Sequence, residues 1–108
     1  MSDSINETLE VLATYMVADE QSVTISLSDG RKLVLPLEWY PRLKYGTPVE
    51  RNHWRLIGDG VGIHWPDLDE DLSVESFIAG RRSLESARSL KKWLAERASA
   101  KRRQRRSA

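Results

Sequence analysis

The segment 58–80, GDGVGIHWPDLDEDLSVESFIAG, constrains the fold more than any other part of the chain. Its glycine-rich start predicts a tight turn, and the alternating apolar residues that follow predict a strand that ends at Pro66. After an acidic run, Ser73 or Asp71 is suited to cap a short helix, which Gly80 is suited to end. A turn, a strand and a helix in such close succession indicate an α+β fold.

The residues upstream indicate strands around one short helix. Residues 11–18 and the alternating run SVTISLS predict an antiparallel hairpin, and an Asp-Gly turn then leads to a third strand that Pro36 ends. A short helix is expected to begin near Thr47, and a strand near Trp54 pairs with the one that ends at Pro66. We therefore expect one antiparallel sheet in the order three strands, a helix, two strands and a helix, followed by a basic C-terminal helix.

That C-terminal helix is expected to run from Ser83 to about Ala98. Its apolar stripe consists of Leu84, Ala87, Leu90 and Leu94, with Trp93 on the flank. The stripe has two open interpretations, docking on the chain's own sheet or contact with a partner or a second copy, so a homodimer is one expectation. Residues 99–108 have no apolar anchor, which is typical of a segment that is disordered when free.

Charge is divided sharply between the two parts of the chain. Residues 1–80 hold six basic and fourteen acidic side chains, whereas residues 81–108 hold eleven basic and two acidic ones. We therefore expect a flexible N-terminus at 1–10, an acidic α+β domain at 11–80, and a basic helix with its tail at 81–108. Such a division favours two binding surfaces for two partners, although the tail could instead neutralise its own body.

Composition excludes several classes of protein. The chain has no cysteine, which excludes disulfides and cysteine zinc sites. No run approaches the roughly 18 consecutive apolar residues of a membrane span, and the first residues are polar and acidic, unlike a signal peptide. We therefore expect a bacterial cytoplasmic protein with no membrane partner.

The acidic run and the two histidines offer little chemistry. The run resembles the start of a calcium loop, but Leu72 stands where that loop needs glycine and Ile78 where it needs glutamate. His64 has no evident nucleophile and no second histidine at ligand spacing, and His53 is interpreted as a surface residue. We expect no catalytic residue, no metal and no cofactor, and therefore no enzyme.

Two sets of charged residues are the candidate binding residues. Basic side chains that neutralise phosphates give salt-dependent affinity with little sequence preference. The predicted nucleic-acid-binding set is Arg88, Lys91, Lys92, Lys101, Arg102, Arg103, Arg105 and Arg106. The set predicted to bind a small basic partner protein is Asp67, Asp69, Glu70 and Asp71.

The segments SDGRKLVLPLEWYPRL and IHWPDLDEDLSVESFIAG together resemble the bacterial family called domain of unknown function 2442, over roughly residues 12–80. The resemblance implies a small α+β domain with no established catalytic residues. Family members are often fused to a helix-turn-helix domain or encoded beside a small partner protein, and are suspected antitoxins. The chain departs from the fused form, because only one basic helix and a tail follow Gly80.

The leading functional hypothesis is a non-enzymatic, antitoxin-like module. In that hypothesis the acidic body binds a small basic partner protein, such as a cognate toxin, and the basic tail binds nucleic acid. The alternative is an RNA- or ribosome-associated accessory protein in which the tail is the main binding element.

Overall fold

The fold is α+β, as expected. The computed structural model describes residues 10–107, with side chains as far as residue 104. The strands are β1 (Ala13–Ala18), β2 (Ser22–Leu27), β3 (Lys32–Pro36), β4 (Arg55–Ile57), β5 (Gly62–Trp65) and β6 (Glu70–Ser73). The helices are α1 (Pro41–Lys44), α2 (Pro48–Arg51), α3 (Val74–Ala79) and α4 (Ala87–Ser107), and single 3₁₀ turns occupy Leu37–Trp39 and Gly58–Gly60. The expected flexible N-terminus at 1–10 lies outside the described residues, except for residue 10.

The first three strands form the expected antiparallel meander, in the order β1-β2-β3. Strand β2 alternates buried and half-buried residues, so that Val23, Ile25 and Leu27 all point into the core. This is the period of two that a strand covered on one face requires. The hairpin and the third strand predicted from the sequence are therefore confirmed.

The remaining strands form a second antiparallel sheet, in the order β4-β5-β6, which corrects the single sheet expected from the sequence. The sequence interpretation treated residues 70–73 as an acidic connection, whereas they pair with β5 throughout its length. In β6, Glu70 and Leu72 are half-buried and Asp71 and Ser73 are exposed. Strand β6 thus alternates in burial, but Glu70 occupies an inward position. An apolar residue there would have produced the alternating pattern from which strands are predicted.

A close backbone contact joins the two sheets. Gly60 has a φ of +115°, and a Cβ added there would lie 2.3 Å from the carbonyl oxygen of Ala13. Only glycine fits this position, because it accepts positive φ and leaves the β1 backbone room. Between the sheets and α3 the core is continuous, and Trp65 is fully buried within it, with its indole Nε1 donating to the Arg51 carbonyl at 2.8 Å.

The short helices begin and end largely where their local signals place them. Thr47 caps α2 in a reciprocal capping box with Glu50, and Ser73 caps α3 by accepting from the Ser76 amide at 3.1 Å. Gly80 ends α3 in the left-handed conformation, with a φ of +70°. The sequence predicts no helix at Pro41–Lys44, where the structure has α1.

Helix α4 differs from its prediction at both ends. It begins at Ala87 because Ser86, and not Ser83, caps it by accepting from the Ser89 amide at 3.1 Å. Leu84 therefore precedes the helix and is 99% exposed, so it does not belong to the apolar stripe. At the other end the helix continues to Ser107 through residues with high helix propensity, past the expected end near Ala98. The molecule is correspondingly elongated, with extents of 63 × 27 × 22 Å.

Candidate nucleic-acid interface

The first half of α4 docks on the chain's own body through Trp93. This side chain is 9% exposed and belongs to the same buried cluster as the sheets, with Leu90 and Leu94 packed partly buried beside it. Of the two interpretations that the sequence left open for this helix, the structure shows docking on the chain's own domain. Trp93, which the sequence placed on the flank, is the centre of the contact.

Two arginine guanidinium groups stack on the Trp93 ring. Arg42 lies 4.9 Å and Arg97 lies 4.8 Å from the ring centroid, within the range of a cation–π contact. Arg42 comes from α1 and Arg97 from α4 itself. Body and helix therefore contribute one cation each to the same aromatic side chain.

A carboxylate pairs with each of these arginines. Arg42 makes a two-pronged bond to Glu85, with Nε to Oε1 at 2.6 Å and Nη2 to Oε2 at 2.9 Å, and it also donates to the Asp69 carbonyl at 3.0 Å. Arg97 donates through Nη2 to Oε1 of Glu50 at 2.8 Å. Because both guanidinium groups are paired within the fold, neither is available to bind a polyanion.

The pairing lowers the pKa of both carboxylates. The hydrogen bond from Arg42 holds the pKa of Glu85 below its ordinary value of 4.5. Burial raises the pKa of Glu50, but the bonds from Arg97 and from the Thr47 cap outweigh it, so the net shift is also downward. Both groups are therefore held in the charged form that the pairing requires.

The opposite face of α4 carries a row of cations that point away from the body. At about 100° per residue, Arg88, Lys91, Lys92, Arg102 and Arg103 fall on the side of the helix opposite Trp93 and Arg97. All five side chains are exposed, and we call them the basic stripe. The sequence predicted these five residues within the larger nucleic-acid-binding set, and the structure places them on one face of α4.

The other three predicted cations are arranged differently. Lys101 is exposed, but its helical position lies on the side of the docked face, beyond the point where the body ends. Arg105 and Arg106 belong to α4, and their side chains lie outside the described part of the chain.

The acidic set predicted to bind a partner is largely engaged within the domain. Asp67 Oδ2 lies 2.6 Å from Nδ1 of His53, and Asp71 is hydrogen-bonded to Nδ1 of His64. Asp69 lies 3.6 Å from Arg42 but keeps a side chain that is 90% exposed. Its backbone closes the β5-β6 turn with a φ of +51°.

Glu70 differs from its acidic neighbours because its side chain is half-buried in β6. Burial raises the pKa of this carboxyl above its ordinary value, and the bond that its Oε1 accepts from the Asp71 amide only partly opposes the shift. A carboxyl in that position is poorly placed to attract a basic partner.

Sequence reasoning missed the residues that fix the helix: Arg42, Glu50, Glu85 and Arg97. One signal was present: a tryptophan directly after two lysines in a strongly basic helix is expected to pack against the body of the protein. Within residues 10–107, no group of histidine and carboxylate side chains could hold a metal ion, and no helix there is long and apolar enough to cross a membrane.

Comparison with known proteins identifies the family. The family model described as protein of unknown function (DUF2442) matches residues 16–83. The chain belongs to this family. The matched region ends before α4 begins, so the basic helix lies beyond it.

Two solved structures resemble this DUF2442 chain. A protein of unknown function from Rhodospirillum rubrum is 26% identical with a TM-score of 0.62, over 70% of this chain and 94% of that one. An uncharacterized protein from Chromobacterium violaceum is 24% identical with a TM-score of 0.56, over 88% of this chain and 83% of that one, a likeness that shows the fold alone. A search of curated proteins gives no match.

Proposed function

We propose that this DUF2442 chain is a non-enzymatic nucleic-acid-binding module of the antitoxin or regulator kind, acting in the bacterial cytoplasm. The observation that carries the proposal is the division of α4 into a docked face and a basic stripe that points to solvent. The domain holds the helix as a rigid support, and the stripe is the binding surface.

Electrostatics supports this assignment. The stripe gathers five cations on one face of a single helix, where they can neutralise successive phosphates and release the ions condensed on them. The acidic body lies behind the docked face and repels the same polyanion. The two charges together orient the nucleic acid towards the outer face of α4.

The protein-binding half of the proposal concerns the acidic residues of the body. A small basic partner, such as a cognate toxin, would contact the acidic residues Asp67, Asp69, Glu70 and Asp71. Of these, Asp69 has the most exposed carboxylate, whereas Asp67 and Asp71 already face histidines.

The proposal is tested by titrating labelled nucleic acids with the full-length chain and following fluorescence anisotropy. The stripe variant Arg88→Gln/Lys91→Gln/Lys92→Gln removes three exposed cations from α4. The matched control, Lys32→Gln/Lys44→Gln/Arg55→Gln, removes three exposed cations from the body and gives the same net charge. Circular dichroism checks that both variants keep the helix.

We expect the stripe variant to bind at least about tenfold more weakly than the natural chain and to lower the salt slope by about one for each lost phosphate contact. The body variant should change affinity by less than about twofold. Equal losses in both variants would mean that net charge alone drives binding, and an absence of binding at low salt would overturn the proposal. Binding of RNA alone would favour the accessory role on RNA or ribosomes.

A further inference from the structure

We infer that the basic stripe is shaped for the major groove of B-form duplex DNA. The inference rests on the proposed function and narrows its ligand from nucleic acids in general to one duplex form. It follows from the arrangement of small and basic side chains along the outer face of α4.

Four cations of the stripe form two rows with a narrow floor between them, and the fifth, Arg88, lies between the rows at the start of the helix. Lys91 and Arg102 form one row, and Lys92 and Arg103 form the other, with the rows about 100° apart around the helix axis. Ala95 and Ser99 lie between the rows, and both side chains are small. A surface depression of about 470 Å³ lies along the second row, lined by Lys92, Ala95, Glu96, Ser99 and Arg103.

This arrangement matches a groove with a phosphate chain on each side. An α-helix is about 10–12 Å across and the major groove of B-DNA is about 12 Å wide, so the helix fits lengthwise. The small floor residues let the helix approach the base edges, while each row reaches one phosphate chain. Along each row the two cations stand about 16 Å apart, a separation that spans several phosphates.

The two competing ligands, A-form duplex RNA and a single strand, do not contact both rows at once. A-form RNA has a deep and narrow major groove that does not admit a helix, so it would meet the stripe only at its outer phosphates. A single strand has one phosphate chain and would engage one row. The exposed carboxylate of Glu96 lies beside the second row and opposes a phosphate chain of any of these ligands there, so it does not distinguish between them.

The body does not obstruct this docking. Trp93 and Arg97 hold it against the opposite face, and the helix extends past Arg97 for several further turns. A duplex lying along the outer face therefore meets α4 before it meets the sheets. Ser99 accepts a bond from Arg102 at 3.2 Å, which keeps that guanidinium close to the helix surface.

Dimethyl sulfate reads both grooves in one experiment, because it methylates guanine N7 in the major groove and adenine N3 in the minor groove. The full-length chain is bound to a mixed-sequence duplex of about 20 base pairs at a concentration that saturates the anisotropy signal. We expect reduced methylation at guanine N7 and unchanged methylation at adenine N3. Protection at adenine N3, or no protection on a saturated duplex, would overturn the groove assignment while leaving nucleic-acid binding intact.

Two row variants provide the second readout. Lys91→Gln/Arg102→Gln and Lys92→Gln/Arg103→Gln should each lower the salt slope for duplex DNA by about two, because each removes two phosphate contacts. Duplex RNA of the same sequence should bind at least about tenfold more weakly than DNA. Equal affinity for the two duplexes, or a loss confined to one row, would contradict the inference, and failure of every nucleic acid to bind would overturn the proposed function with it.

Discussion

The two faces of α4 carry the same types of cation and use them in opposite ways. On the docked face, Arg97 stacks on Trp93 and pairs with Glu50, and it is largely shielded from solvent. On the outer face, Lys91 and Lys92 are exposed. The comparison shows that the neighbours of each basic residue, and not its type, decide whether it is paired within the fold or exposed on the surface.

Among single substitutions, the largest expected effect comes from removing the centre of the docked face. Trp93→Ala should lower the free energy of unfolding by about 3 kcal/mol, because it deletes a buried ring and leaves two guanidinium groups without their stacking partner. Urea denaturation followed by circular dichroism measures the change. The exposed neighbour Lys92→Ala is the control, and an equal loss in the two variants would show that α4 is not part of the domain.

The same reasoning applies to truncation. Ending the chain at Gly80 removes Trp93 from the core and leaves Arg42 without Glu85. Such a fragment should be less stable than the full chain by at least as much as Trp93→Ala. Point variants of the full chain are therefore the better test of which surface binds.

A smaller loss is expected from breaking the pair beside the ring. Arg42→Met keeps most of the aliphatic stem but leaves Glu85, whose side chain is 9% exposed, as a buried charge without a cation; only the hydrogen bond from the Ser89 hydroxyl remains. We expect a loss of about 2–3 kcal/mol in urea denaturation. Arg31→Met breaks the exposed pair with Asp29 and should change stability by less than about 1 kcal/mol. Equal losses of stability in the two variants would mean that burial does not determine how much each ion pair contributes to folding.

The paired carboxylates also make stability depend on pH. The pKa values of Glu85 and Glu50 are lower in the folded chain than their ordinary value of 4.5, so their contribution is fully present above that value and is lost as pH falls through the folded pKa. Glu70 has the opposite effect on the pH dependence of stability. Burial raises its pKa, so protonation of Glu70 favours the folded state. Urea denaturation between neutral and acidic pH should show a net fall in stability that is shallower in Glu85→Gln. An unchanged slope in that variant would contradict the assigned cause.

The sequence predicted the parts of the fold that depend on local signals. The Asp29-Gly30 turn, the Thr47 cap and the Gly80 end of α3 each require only a few neighbouring residues, and each is confirmed. Strand β6 was missed because Glu70 occupies an inward position and the turn before it uses Asp69, and not glycine, at positive φ. A local pattern with a charged residue at its core position looks like a loop.

The candidate site was predictable in composition but not in arrangement. The basic residues of the stripe stand out in the sequence, whereas their common face depends on a helix that begins at Ala87 and extends to Ser107. The contact between Trp93 and Arg42 joins residues that are 51 positions apart in the sequence, so no short pattern reveals it. The acidic run was misleading for the same reason, since the partners of Asp67 and Asp71 are histidines elsewhere in the chain.

The smallest expected effect on stability comes from changing the outer face of α4, and it gives the clearest test of the difference between the two faces. Lys91→Gln/Lys92→Gln alters two exposed side chains and should change the free energy of unfolding by less than about 0.5 kcal/mol, because neither side chain is buried against the body. The same double variant should weaken binding to duplex DNA measurably and reduce its salt dependence. Urea denaturation and anisotropy on one preparation give both numbers. If this variant lost stability as Arg42→Met does, the outer face would be part of the structural support, and the distinction between the two faces of α4 would fail.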